Sequence, residues 1–286
     1  MSSTISSLYL CSWLIHNSAM TFPPQQRQVT RDAAWAYARA INDLNPVYEK
    51  GILAPPMFAV VLEMPVLLAA LKVPEVLGDP ARFARMVHGE HVMQFFDTLR
   101  PGETYQTSAE VTGKTQKASG EIIDLTLRTE QGGRPIVTSV ASLFIRNPPG
   151  AQGGGGEKPA VTAESKHTVV LQGDEHVAMD QPLRYADASG DHNPIHKDAT
   201  IAQKAGLPGI ILHGLCTMAF AQKHLVNGLA GGQPERLKAL RVRFARPVLP
   251  GQVLGISAWE QTAGSYGFEV RAEGQLAAKD GVAEIR

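Results

Sequence analysis

The hydrophobic pattern divides the chain into two passages that run in the same order. Each begins with a short segment, Arg31–Ile41 or Gln181–Ser189, whose apolar residues recur at helical spacing. Thr30 is placed to cap the first helix, and Asp180 is expected to cap the second, with Pro182 in its first turn. An Asn-Pro turn follows in both, because the residue before proline is pushed out of helical space. Longer runs come next, Pro56–Leu71 and Leu215–Leu229, apolar nearly all round and so predicted to be buried helices. Alternating stretches complete each passage, with strands expected at Ile122–Thr129, Pro135–Ile145, Leu240–Val248 and Val253–Gln261. One buried helix wrapped by an antiparallel sheet satisfies this order and gives an α+β class.

The two passages also match residue by residue. Tyr37–Tyr48 aligns without gaps on Tyr185–His196 at a constant offset of 148, pairing Asp43 with Asp191 and Asn45 with Asn193. Further on, Phe95–Gly102 echoes Phe244–Gly251 at an offset of 149. Duplication of one fold unit is the reading. Four consecutive glycines, Gly153–Gly156, lie in a stretch without hydrophobic period, so residues 147–163 are expected to form a flexible linker. That places an N-terminal extension at 1–27, a first repeat at 28–146 and a second at 164–286. In the extension, Leu8–Ile15 is a short apolar run with no Lys or Arg ahead of it, which argues against a secretory signal. Met20 is read as an alternative start, with export as the secondary reading.

Composition narrows the function. The 27 basic and 27 acidic side chains cancel, and without a basic excess nucleic acid is not expected as partner. Hydrophobic residues at 44% and charged ones at 19% suit a globular fold of 286 residues and exclude disorder of the whole chain. The most apolar stretch, Met57–Leu71, is interrupted by Glu63 and Pro65, so no membrane span is expected. Cys11 and Cys216 cannot form a disulfide framework or a cysteine zinc cluster, which points to a reducing, cytoplasmic compartment.

The densest polar cluster is Ser189-Gly190-Asp191-His192-Asn193-Pro194-Ile195-His196. It reads either as an Asx turn with a surface histidine or as a carboxylate and an imidazole converging on one water. Calcium is excluded, because Ile195 and His196 stand where a calcium loop needs an oxygen ligand and a glycine. Zinc through His192 and His196 is disfavoured, because Pro194 breaks the helix that would carry both. In a second cluster, Leu207–Thr217, Gly214 opens the long helix, where free N–H groups point outward. It can serve as an oxyanion site or simply allow tight packing. Cys216 reads as a core residue, and no serine sits in a nucleophile elbow. Alternation over Leu240–Arg246 puts Val242 and Phe244 on one face and Arg241 and Arg243 on the other, to meet either substrate phosphates or solvent.

Taken jointly, three runs resemble the MaoC-like hydratase 2 family of R-specific enoyl-CoA hydratases and 3-hydroxyacyl-thioester dehydratases. They are Tyr185…Gly190-Asp191-His192-Asn193-Pro194-Ile195-His196, Ile211-Leu212-His213-Gly214-Leu215-Cys216-Thr217, and Arg243-Phe244…Pro250-Gly251. Val87-His88-Gly89-Glu90 extends the resemblance into the first half, and the two-repeat form is the nearest pattern. The resemblance implies a double hot-dog fold, with Asp191 and His196 holding the reacting water, Asn193 ordering the site and the Gly214 amide receiving the thioester oxygen. It further implies substrate contacts from Arg243, Arg241, His213, Tyr185 and His88, with His88 and Glu90 supporting structure or the CoA edge. An acyl-CoA is then the small-molecule partner, no metal or further cofactor is called for, and homodimerisation is left open. A eukaryotic source would imply the peroxisomal matrix. Rival readings are a hot-dog thioesterase and a non-catalytic subunit of a dehydratase complex.

The first half departs from the pattern. Tyr48 stands where the second half has His196, and a phenol with an ordinary pKa of about 10 is a poor base. Pro55 and Pro56 remove N–H donors at the matching helix start. Chemistry is therefore expected once per chain, in the second repeat. The first repeat is expected to accommodate the acyl chain along Pro56–Leu71.

Overall fold

A computed structural model describes residues 20–148 and 167–286. The extension at 1–19 and most of the linker lie outside the described residues. The first repeat runs β1 (Met20–Gln28), α1 (Arg31–Ala40), α2 (Ala59–Leu71), β2 (Met86–Phe95), β3 (Thr104–Lys117), β4 (Gly120–Gln131) and β5 (Arg134–Arg146). The second runs β6 (Val169–His176), α3 (Gln181–Ser189), α4 (Gly214–Leu229), β7 (Leu237–Phe244), β8 (Val253–Thr262), β9 (Ser265–Ala272) and β10 (Gln275–Ile285). Short helical turns join them.

All ten strands form one sheet in the order β1-β3-β4-β5-β2-β7-β10-β9-β8-β6. Read from either edge, the strand order is the same within each repeat, so the order is palindromic about the β2–β7 seam. That antiparallel seam pairs Val92 with Arg241, two positions separated by the repeat offset of 149. A local twofold therefore passes through this pair. It passes close to a second one as well, since Tyr37 and Tyr185 meet with hydroxyls 3.4 Å apart and rings 5.7 Å apart. This is the double hot-dog expected from the resemblance.

Inside the curl of the sheet lies one core shared by both repeats, with Phe58 and Val61 of the first in the same cluster as Phe220 and Leu225 of the second. The helices reach it for different local reasons. Thr30 caps α1 by accepting the Ala33 N–H at 3.1 Å. Asp180 does not cap α3; its backbone is already helical, and its carboxylate pairs instead with Arg184, one turn on, at 3.2 Å. Pro65 sits within α2 and cannot donate to the Val61 carbonyl, but the Arg27 guanidinium from β1 takes that carbonyl at 2.8 Å. β1 is thus integral to the first repeat, and the extension expected over 1–27 gives way to structure from Met20. Strand β7 ends at Phe244, earlier than the expected Val248, because Pro247 cannot continue the ladder.

Phe220 is fully buried in the shared core. Phe220→Ala is expected to lower unfolding free energy by about 3–5 kcal/mol, read from the urea midpoint at unchanged slope.

Candidate functional site

The loop between α3 and α4 is built by a chain of local hydrogen bonds. Gly190 ends α3 with φ 80°, a left-handed turn that releases the backbone from the helix. Asp191 N–H then donates to Ser189 Oγ at 3.2 Å, and the Asp191 carboxylate accepts the Asn193 N–H at 3.1 Å. Asn193 caps the one-turn 3-10 helix Pro194–His196, its Oδ1 accepting the Ile195 N–H at 3.4 Å. The outcome is the Asx turn, but with the histidine buried: His196 is 6% exposed.

His196 Nδ1 lies 2.8 Å from the Ile211 carbonyl. A carbonyl only accepts, so Nδ1 carries the hydrogen and Nε2 keeps its lone pair. Burial holds the His196 pKa below the usual imidazole range, although the Asp191 charge pulls the other way. His213 is still more buried, and its Nε2–H donates to the Asp191 carbonyl at 3.0 Å. Burial first, then the neighbouring His196, keeps it well below the usual imidazole range. The two rings stack with centroids 3.6 Å apart at 25°.

These groups border a cavity of about 210 Å³ that both repeats line. Asp191, Asn193, His196, His213 and Gly214 face it from the second repeat, and His88 from the first. Met64, Leu67, Leu68 and Leu71 of α2 form its apolar wall, and Arg146 and Arg246 stand at its edge. Gly214 is the first residue of α4, and its N–H finds no backbone acceptor among the described residues. A Cβ at Gly214 would lie 3.1 Å from the Phe244 ring, so packing also favours glycine there.

Several expected contacts are not made. Tyr185 is fully buried against Tyr37 and His213 and is absent from the cavity wall, because α3 turns that face into the core. Arg241 and Arg243 do point away from Val242 and Phe244, but they do not line the cavity either. Arg241 pairs with Glu90 at 2.6 Å, and Arg243 with Asp280 at 3.3 Å and Glu90 at 3.8 Å. Arg246, two residues beyond the strand, was hidden by the same alternation that drew attention to its neighbours. Cys216 is buried, with its thiol pKa pushed up by burial, and so behaves as a core residue.

Asp191, His196 and His213 each offer a ligand atom within 4.8 Å of the others, the one such trio among the described residues. On each ring one nitrogen is held by a backbone carbonyl, which leaves the other lone pair free.

The first repeat keeps the loop and closes the site. Asp43 accepts the Asn45 N–H at 3.3 Å and Asn45 the Val47 N–H at 3.0 Å, reproducing the second repeat. However, Asp43 and Tyr48 are fully buried, and burial raises both pKa values. Gln222 from α4 fills the space beside them and accepts the Met57 N–H at 3.4 Å, occupying a donor at the start of the first repeat's helix.

The comparisons agree with this layout. Residues 160–279 match the MaoC like domain, and residues 18–139 match the FAS1-like, dehydratase domain region. Mouse (Mus musculus) peroxisomal multifunctional enzyme type 2 is 31% identical over 65% of this chain, which spans 26% of that protein's length. The 3-hydroxyacyl-thioester dehydratase Y of Mycobacterium tuberculosis is 30% identical, covering 70% of this chain and 73% of its own. A MaoC-like dehydratase from Phytophthora capsici superposes with TM-score 0.80 at 24% identity, over 94% of this chain and 96% of that one.

Histidine burial predicts a pH signature. His88, with its pKa lowered to about 4, and His91, His196 and His213 all bind protons less readily folded than unfolded. Stability is therefore present above the unfolded imidazole pKa of about 6.5 and lost as pH falls below it. Glu63, buried and raised to about 7, and Asp43, also raised by burial, act oppositely, but they are two groups against four. The melting temperature is expected to fall from pH 7 to pH 5, which calorimetry across that range checks. With both repeats matched and a shared cavity between them, this chain belongs to the MaoC-like dehydratase family.

Proposed function

We propose that the chain catalyses reversible hydration of trans-2-enoyl thioesters to (3R)-3-hydroxyacyl thioesters, with an acyl-CoA as substrate. The observation that carries this reading is that Asp191, His196 and Gly214 line one cavity, with His196 Nε2 and the Gly214 N–H left without a backbone partner. Its relatives named as hydratases and dehydratases support it.

In the hydration direction, a water sits between Asp191 and His196. Nε2 takes one proton as the water oxygen bonds to C3, and the electron pair of the double bond moves onto the thioester oxygen. That oxygen receives the Gly214 N–H at the positive end of α4. The imidazolium then returns the proton to C2, while Asp191 holds the remaining hydroxyl hydrogen and balances the transient charge. Dehydration retraces these steps. The thioester already activates C3, so the reading calls for no metal or further cofactor. Asn193 holds the turn that carries both groups.

The acyl chain runs along Met64–Leu71, a helical stretch of roughly 10 Å at about 1.5 Å per residue. The phosphates of CoA are assigned to exposed Arg246 and Arg146, in place of Arg241 and Arg243, whose charges Glu90 and Asp280 already answer. The first repeat is non-catalytic, because Gln222 fills its site.

Asp191→Asn or His196→Ala is expected to lower kcat by roughly 10²–10⁴-fold with the fold retained. Hydration of crotonyl-CoA followed at the enoyl absorbance checks this, and near-normal turnover would refute the dyad. A thiol-release assay is expected to remain silent; release of free CoA would favour the thioesterase reading. Leu68→Trp is expected to raise KM for long-chain enoyl-CoA and leave crotonyl-CoA unaffected, because only the long chain reaches α2.

A further inference from the structure

The reaction sequence above uses Asp191, His196 and Gly214 and gives His213 no part. Yet His213, 1% exposed, touches both members of the dyad: its Nε2–H holds the Asp191 carbonyl at 3.0 Å, and its face lies 3.6 Å from that of His196. It is also the N-cap residue of α4, covalently joined to Gly214, although its side chain makes no capping bond. Tyr185 packs 4.9 Å from the ring, which limits its freedom to turn.

We propose that His213 is a positioning residue that sets the separation between the Asp191 carboxylate and His196 Nε2, its N–H fixing one group and its ring face the other. This rests on the hydratase reading of the site. Asp191 lies outside any helix or strand, between Gly190 and Pro194. Its N–H is taken by Ser189, the last residue of α3, and its carboxylate by Asn193 within the loop. Ile211, three residues before α4, holds the His196 end of the loop, and the carbonyl bond to His213 is what ties the Asp191 end to the start of that helix. A loop freed there can tilt, and a displacement of about 1 Å at reacting groups costs about 100-fold in rate. The stacked ring must stay neutral for the same purpose, since a second charge beside the imidazolium would oppose its formation.

Two substitutions separate the contacts. His213→Gln keeps an N–H at similar reach and loses the ring; His213→Phe keeps the ring and loses the N–H. Steady-state hydration of a trans-2-enoyl-CoA is expected to give His213→Gln a kcat within about fivefold of the parent. For His213→Phe a fall of about 30-fold is expected with KM unchanged, a loss of orientation rather than of substrate binding. If the phenylalanine variant does not fold, His213→Met, also without an N–H, carries the same expectation. Equal kcat in the two variants, or a loss confined to KM, overturns the proposal.

A second readout needs no turnover. The NMR titration of His196 is expected to shift to lower pH in His213→Phe, because the Asp191 charge that raises its pKa has moved away, and to stay higher in His213→Gln. An unchanged titration in His213→Phe overturns the positioning role even if the parent chain hydrates nothing, an outcome that would separately sink the hydratase reading.

Discussion

Everything in the molecule depends on the hydrogen-bonded seam between β2 and β7. The start of α2 and the buried apolar residues of α4 share one cluster across the repeats, whereas Val66, Ala70 and Leu71 of α2 pack within the first repeat. The seam turns two five-stranded sheets into one, and the merged sheet curls around α2 and α4 together. It also brings His88 of the first repeat and Asp191 of the second to one cavity, so the joint that stabilises the fold also assembles the site.

Within that frame, the chemistry is prepared by backbone carbonyls. Ile211 and Asp191 each hold one nitrogen of a buried imidazole, which fixes its tautomer and leaves a defined lone pair. Desolvation then makes both rings harder to protonate than a solvated imidazole. The cost is stability at acid pH.

Much of this was legible in the sequence where local rules decide. The turn Asp191–His196, the two buried helices and the repeat offset follow from proline, capping and periodicity, which act over a few residues. What the sequence concealed depends on partners far along the chain. Arg241 and Arg243 carry the right chemistry for phosphate, but Glu90, some 150 residues earlier, neutralises them across the seam. Tyr185 belongs to the motif and faces the pseudo-twofold instead of the cavity. Gln222, which closes the first repeat's site, lies in the middle of an apolar helix of the other repeat, and no pattern near Asp43 could announce it. Asp180 had the composition of a cap and lacked the backbone angle.

The seam also records what tandem fusion makes available. Across it, Glu90 lies opposite Arg243 and, at the symmetry-related place, Gln94 lies opposite Ala239. Two identical subunits would have to show the same couple at both ends. Once both copies share a chain, one end can become ionic and the other remain plain, and each flank can be shaped by selection without spoiling its twin. A filled turn at Asp43 in one repeat beside an open cavity at Asp191 in the other is the kind of divergence that such freedom permits.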